Sequence, residues 1–419
     1  MVQLLLKMRA KVNTSGKIRT QGGARLTGNT KFNFCCTPLT AAAAGGHGKI
    51  VRLLLEAEAE VNAPGDIAIS GRIRVAGNAR VSVYTGALSA AVGGGYTEIV
   101  QMLLDAGAKA TGNPADRIEI NRGITAIGAA EINVDYTTLD IHGSVEIGGN
   151  AVLNAYHGAL SAAVGGGHSE IVQLLLNNGA EANGYPPGGI EIHGTISGSG
   201  NAILNIDYAS VQIHGSFVVD NNFTINTYRG VLSVAAARGL SDIIQLLLDA
   251  GAEVDGHPPG SIETHGAFVG SGNATFNLDC ASISRSGAST VNENATCNTY
   301  RGACAIAAAR GHDDIVQSFI KARAARKSIA TAPISSIAGA TQAAITNGPD
   351  EITQPLHANE MDEGQEEDDN VGPSGGTGDE VDGTEEEGGG KGNEGEGEEA
   401  EGVVVAKEGE RAERDAAAT

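Results

Sequence analysis

The chain repeats itself, and the repeat is nested. Tyr84-Thr-Gly-Ala-Leu-Ser-Ala-Ala, Tyr156-His-Gly-Ala-Leu-Ser-Ala-Ala, Tyr228-Arg-Gly-Val-Leu-Ser-Val-Ala and Tyr300-Arg-Gly-Ala-Cys-Ala-Ile-Ala begin 72 residues apart, and a shorter unit aligns Cys35 with Tyr84 at a spacing of 49. A fixed period restricts a chain to stacked supersecondary units, because one unit cannot bury its own apolar face. The 60 glycines recur in phase with it and mark turns.

Each unit has a helical half. In Ala87-Leu-Ser-Ala-Ala-Val-Gly-Gly-Gly-Tyr-Thr-Glu-Ile-Val-Gln-Met-Leu-Leu-Asp-Ala-Gly-Ala a small-residue helix meets a glycine break and a second helix follows. Thr97 or Ser169 stands where an N-cap is expected, Glu98 or Glu170 in the first turn, and Gly107 or Gly179 where the second helix must stop. The other half is periodic too. Segments starting at Ile190 and Val211 lie 21 residues apart, and equivalents start at Ile18, Ile67, Ile118, Leu139, Ile262 and Ile283, one in each short unit and two in each long one. Their period-2 alternation and β-branched content predict strands. Gly28-Asn29, Gly77-Asn78, Gly149-Asn150, Gly200-Asn201 and Gly272-Asn273 supply the positive φ of tight turns.

Thr37-Pro-Leu-Thr-Ala-Ala-Ala-Ala-Gly-Gly-His-Gly-Lys-Ile-Val-Arg-Leu-Leu-Leu, Gly167-His-Ser-Glu-Ile-Val-Gln-Leu-Leu-Leu-Asn-Asn-Gly-Ala-Glu-Ala-Asn and Gly239-Leu-Ser-Asp-Ile-Ile-Gln-Leu-Leu-Leu-Asp-Ala-Gly-Ala-Glu-Val-Asp resemble the ankyrin repeat. Five such pairs fall near 37–62, 86–111, 158–183, 230–255 and 302–326, and the segment from Val2 looks like the second helix of a sixth. The chain thus opens in mid-repeat, as a piece of a longer natural protein would. The family's Thr-Pro-Leu-His opening survives only as Thr37-Pro38-Leu39. Its histidine is replaced by Thr40, Ser89, Ser161, Ser233 and Ala305, which predicts loss of the hydrogen bonds that brace the turn.

An ankyrin repeat takes about 33 residues, so the β segments are insertions. The expected fold is an α+β repeat solenoid of stacked ankyrin-like helix pairs. Its loops are enlarged into β-hairpins forming an adjoining layered sheet, an arrangement the Gly-Asn pairs favour. The alternative makes each 21-residue segment one coil of a β-solenoid, two coils at about 4.8 Å matching one helix pair.

The resemblance implies partner binding through hairpin tips and the concave face of the first helices, at Ser89, Ser161, Ser233, Asn78, Asn150 and Asn222. The tyrosine rank Tyr84, Tyr156, Tyr228 and Tyr300 is added because aromatics with a polar tip suit partner surfaces. His142, His193, His214 and His265 recur at strand ends. Ten ångströms apart in the hairpin arrangement and stacked in the coil arrangement, they read as a polar ladder rather than a metal site. No nucleophile, phosphate loop or cofactor signature is present, so no catalytic, cofactor or metal residue is assigned. Cys35, Cys36, Cys280, Cys297 and Cys304 show no CxxC spacing.

Charge divides the chain. From Pro349 onward there are 24 acidic and 4 basic residues against totals of 50 and 28, so nearly all of the net charge of -22 belongs to the tail. The body is near neutral, which disfavours nucleic acid, and no run reaches the roughly 20 apolar residues of a membrane helix. The expected organisation is an array over 1–327, a linker over 328–349 and a disordered acidic tail over 350–419 that could attract a basic partner. The expected function is a non-enzymatic protein-interaction scaffold, cytoplasmic or, through Lys321-Ala-Arg-Ala-Ala-Arg-Lys, nuclear. A self-assembling β-rich protein and a sensor fragment of a larger enzyme are the alternatives.

Overall fold

The structure, a computed structural model, describes residues 12–329 except 14–16, 21, 112–115, 184–188, 208–209, 255–260, 281 and 293. All of them belong to one unit. The acidic tail, the linker beyond Ile329 and all but the last residues of the half-repeat from Val2 lie outside the described residues.

The 21-residue segments do not fold back as hairpins. Each supplies three short strands, such as Gly189–Ile192, Ile196–Gly198 and Ile203–Asp207, and none pairs with another strand of its own segment. Leu139 registers with Ile190, Ile190 with Val211 and Val211 with Ile262, all in parallel. The result is three eight-stranded parallel sheets, one for each side of a stack of coils. Coils 1 to 8 begin at Lys17, Asp66, Arg117, Thr138, Gly189, Val211, Ser261 and Ser282.

The Gly-Asn pairs explain the difference. Gly28, Gly77, Gly149, Gly200 and Gly272 do have φ between 65° and 74°, but each turns the chain through a corner into the third sheet instead of reversing it. Glycine is needed twice over at Gly200, because a Cβ there would also lie 2.7 Å from the carbonyl oxygen of Gly149 one coil below. In coil 6 the left-handed corner is taken by Asn221 at φ 56°, the non-glycine type that tolerates it best. In the long units pitch also favours coils. Two coils advance about 9.6 Å, the spacing of one packed helix pair at 8–10 Å, whereas two hairpins would advance twice that.

Inward residues of all three sheets form one apolar core in which Phe223, Phe276 and Tyr136 are among the largest fully buried side chains. Helix pairs leave the stack after coils 1, 2, 4, 6 and 8. They are Pro38–Ala44 with Gly48–Glu56, Ala87–Gly93 with Thr97–Asp105, Ala159–Gly166 with Ser169–Asn177, Val231–Arg238 with Ser241–Asp249, and Ala303–Ala309 with Asp313–Ile329. The last helix runs two residues past the expected array boundary. A second core lies among them. Ala43, Ala91, Ala163, Ala235 and Ala307 of the first helices are all fully buried, which is why small residues are needed there.

The N-caps fall one residue earlier than the sequence predicts, at Tyr96 and His168, without side-chain capping bonds. Thr97 is freed to donate to Glu170 of the next pair at 3.3 Å. Gly107 and Gly179 end their helices at positive φ as expected. Asn13, Asn62 and Asn183 tie consecutive pairs, each donating to a carbonyl and accepting an amide of the following unit.

Candidate interaction surface

Three aspartates join the helical stack to the β stack. Asp207 and Asp279 end the third strands of coils 5 and 7, and Asp135 is the last residue but one of that strand in coil 3; these are the coils that carry no helix pair of their own. Asp279 is fully buried and accepts hydrogen bonds from Ser233 at 2.7 Å and from the backbone amides of Arg229 at 3.1 Å and Gly302 at 2.9 Å. Asp207 accepts from Ser161 and from the amide of Gly230 at 3.0 Å. Asp135 accepts from Gly158 at 3.1 Å, with Ser89 beside it. Asp207 and Asp279 therefore each hold a serine of the preceding first helix and the amide that begins the following one, and Asp135 holds the equivalent amide. The serines that replace the ankyrin histidine do not lose the brace; they transfer it to the inserted coils.

Burial without a cation makes two of these carboxyls reluctant to ionise. It pushes Asp135 up to about 7 and Asp207 up to about 6, against the opposing hydrogen bonds from Ser89 and Ser161. Asp279 has a buried ion pair instead, Arg229 Nε lying 3.3 Å from its Oδ1. His157, at the position of Arg229 in the preceding unit, is pushed down to about 4 by burial.

The expected partner-binding residues divide by place. Ser161 and Ser233 are 1% and 3% exposed and engaged with aspartates, so they are not presented to a partner, while Ser89 is half-buried. Asn78, Asn150 and Asn222 are exposed at coil corners. They are not hairpin tips but members of a side-chain ladder, Asn78 donating to Asn29 at 3.0 Å, Asn201 to Asn150 at 3.1 Å and Asn222 to Asn201 at 2.8 Å. Tyr84, Tyr228 and Tyr300 are buried and Tyr156 half-buried. The rings of Tyr84 and Tyr156 lie across the ends of the first helices, where a Cβ on Gly93 would meet the Tyr84 hydroxyl at 2.5 Å and one on Gly165 the Tyr156 ring at 2.2 Å. The glycine runs are thus seats for tyrosines.

Tyr84 and Tyr156 also line a cleft of about 290 Å³ between the third sheet and the first helices, with Asn133, Asn154, His168 and Arg238. A second ladder forms its sheet wall. Asn154 donates to Asn133, Asn205 to Asn154, Asn226 to Asn205, Asn277 to Asn226 and Asn298 to Asn277, all at 2.8–3.0 Å. Further along the same wall Arg310 donates to Asn226 at 3.0 Å and Tyr300 to Asn277 at 3.1 Å.

The aspartates and this ladder were missed in the sequence although their signal is there: Asn133-Val-Asp135, Asn205-Ile-Asp207 and Asn277-Leu-Asp279 recur at 72 residues. Burial raises the Cys35 thiol to about 12 and those of Cys36 and Cys280 to about 11, which leaves these three poor nucleophiles. Among the described residues no helix is long and apolar enough to cross a membrane.

Helix pairs of this build, stacked on buried alanines, resemble those of ankyrin repeats. The Ankyrin repeat family model matches residues 35–66, and the chain contains an ankyrin repeat there whose construction the four later pairs follow. That repeat supports a role in protein–protein interaction. No curated protein matches the chain.

Proposed function

We propose that the chain is a non-enzymatic scaffold that binds a protein partner in the cleft between the first helices and the third sheet. The observation that carries this reading is the cleft itself. It lies on the side of the first helices that ankyrin repeats use for binding, and it presents Tyr156, His168 and Arg238 beside an asparagine wall. Aromatic and arginine side chains are the usual anchors of protein interfaces. The wall is tied coil to coil, so little order has to be gained when a partner docks. Partner contact shifts from the corner asparagines and buried serines to this cleft, in a protein of the cytoplasm or nucleus.

A photo-crosslinking residue placed in cells at His168 tests the reading, with Asn177 on the outer helix as the control position. Partner adducts from 168 and not from 177 are expected. Adducts equally strong from both positions, or only at 177, would overturn it.

A second reading, end-to-end self-association, is favoured by one observation. Ser282–Arg285, Ser289–Val291 and Thr296–Tyr300 form the outer strands of all three sheets at coil 8, and Val291 is 39% exposed. An outer strand of a sheet invites another chain. Light scattering of the purified protein distinguishes the two, because polymers that grow with concentration belong to this reading alone.

A further inference from the structure

The four strand-end histidines stand in one stack on the outside of the β coils. His142 and His193 are 4.7 Å apart between ring centroids, His193 and His214 4.7 Å, and His214 and His265 5.1 Å, with interplanar angles of 13°, 9° and 9°. Parallel pairing fixes their backbones, since the amide of His193 donates to Ile141 and that of His214 to Ile192, both at 2.8 Å. Between the two central rings lies one carboxylate. Glu191 Oε1 is 3.1 Å from Nε2 of His193 and 3.1 Å from Nε2 of His214.

We propose that Glu191, His193 and His214 form a binding site for a divalent transition-metal ion of the zinc type, which clips coil 5 to coil 6. Three donor atoms on three side chains lie within 4.8 Å of one another. With metal–ligand bonds of 2.0–2.1 Å, tetrahedral donors sit about 3.4 Å apart, so the two oxygen–nitrogen separations are already near that value. Only the two nitrogens must close, and they are free to swing because the side chains of His193, His214 and Glu191 are 38%, 37% and 41% exposed. The ion would take the place of the Nε2 protons that the carboxylate otherwise accepts.

Two imidazoles and one carboxylate select zinc, copper or nickel over magnesium and calcium, which prefer all-oxygen shells. Water completes the fourth position. At the neighbouring positions, Asp140, two residues before His142, is taken by Arg117 at 2.7 Å, Gln212 stands two residues before His214 in place of an acid, and Glu263, two residues before His265, has Ser286 and no histidine in the following coil. Among the described residues the site is therefore single, and it is structural, a clip between two coils whose three side chains open on solvent.

The test uses the full chain, stripped with a chelator and titrated with zinc alone by calorimetry. The double variant His193→Ala, His214→Ala and the single variant Glu191→Gln are run beside the parent, with circular dichroism confirming that each is folded. The parent should bind one more zinc equivalent than the double variant, and Glu191→Gln should bind it at least tenfold more weakly. Copper added to the parent should show two nitrogen ligands by electron paramagnetic resonance and lose that signature in the double variant. The proposal is overturned if the parent takes up no zinc saturably, or if the double variant binds the same number of equivalents with the same affinity.

Discussion

Replacing Asp207 with asparagine removes the charge from a carboxyl that is 4% exposed while keeping its shape. Burial pushes that carboxyl to about 6, from about 3.9 in an unfolded chain. Between these values the native protein holds a proton that the unfolded chain has lost. Stability therefore falls as pH rises from about 4 to about 6, and levels off above. At about 1.4 kcal/mol per pKa unit, two units amount to about 3 kcal/mol. The asparagine variant lacks this dependence. At pH 4 it should be less stable than the parent by about 1 kcal/mol, because its amide has a single oxygen to offer where the carboxyl serves both Ser161 and the Gly230 amide. By pH 7.5 the difference should have moved about 3 kcal/mol in the variant's favour.

Neighbouring groups titrate in the same range but leave this comparison intact. Asp135, raised to about 7, also loses stability with rising pH, and His157, lowered to about 4, gains it between about 4 and 6.5. Both are present in parent and variant, so the difference between the two proteins isolates Asp207. Urea unfolding followed by circular dichroism at pH 4, 5, 6 and 7.5 gives the curve. A difference constant to within about 0.5 kcal/mol would refute the argument that a buried, uncompensated carboxyl joins coil 5 to the helix pairs on either side.

Gly200→Ala should destabilise by about 2–3 kcal/mol, from the left-handed φ and the contact with Gly149 together; Asn221→Gly, at the equivalent corner, should stay within about 0.5 kcal/mol of the parent in the same urea assay. Phe276→Ala empties a fully buried ring position in the coil core and should cost about 3–5 kcal/mol, read as a fall in the urea midpoint with little change in slope.

The helical half was legible because its cues are local. Ile243-Ile-x-x-Leu-Leu repeats the helix period, and Gly251 stops the chain at positive φ within four residues of the side chains it caps. The β half was legible only as strands and turns. A Gly-Asn pair carries the same φ whether the chain reverses or turns a corner, and the choice is made by what lies 21 or 51 residues away. The Gly149 carbonyl under Gly200, which excludes any side chain there, is such a partner. Asp207 was passed over because it looks like an ordinary strand-end polar residue until Ser161, 46 residues earlier, is seen to need an acceptor. The corner asparagines were rightly placed on the surface but read as tips, since a ladder bond between Asn201 and Asn222 exists only once the coils are stacked.

Coil stacking is tested most directly by a disulfide between register neighbours in separate units. Val218 pairs with Val269 in the second sheet, both side chains facing outward and at least partly exposed. In stacked parallel strands their Cα atoms lie about 4.8 Å apart, inside the 4.4–6.8 Å range of a disulfide. The double variant Val218→Cys, Val269→Cys, oxidised while folded and digested, should yield the linked peptide by mass spectrometry. If the two thiols stay free under conditions that leave the protein folded, the strands are not stacked in this register and the coil architecture is wrong.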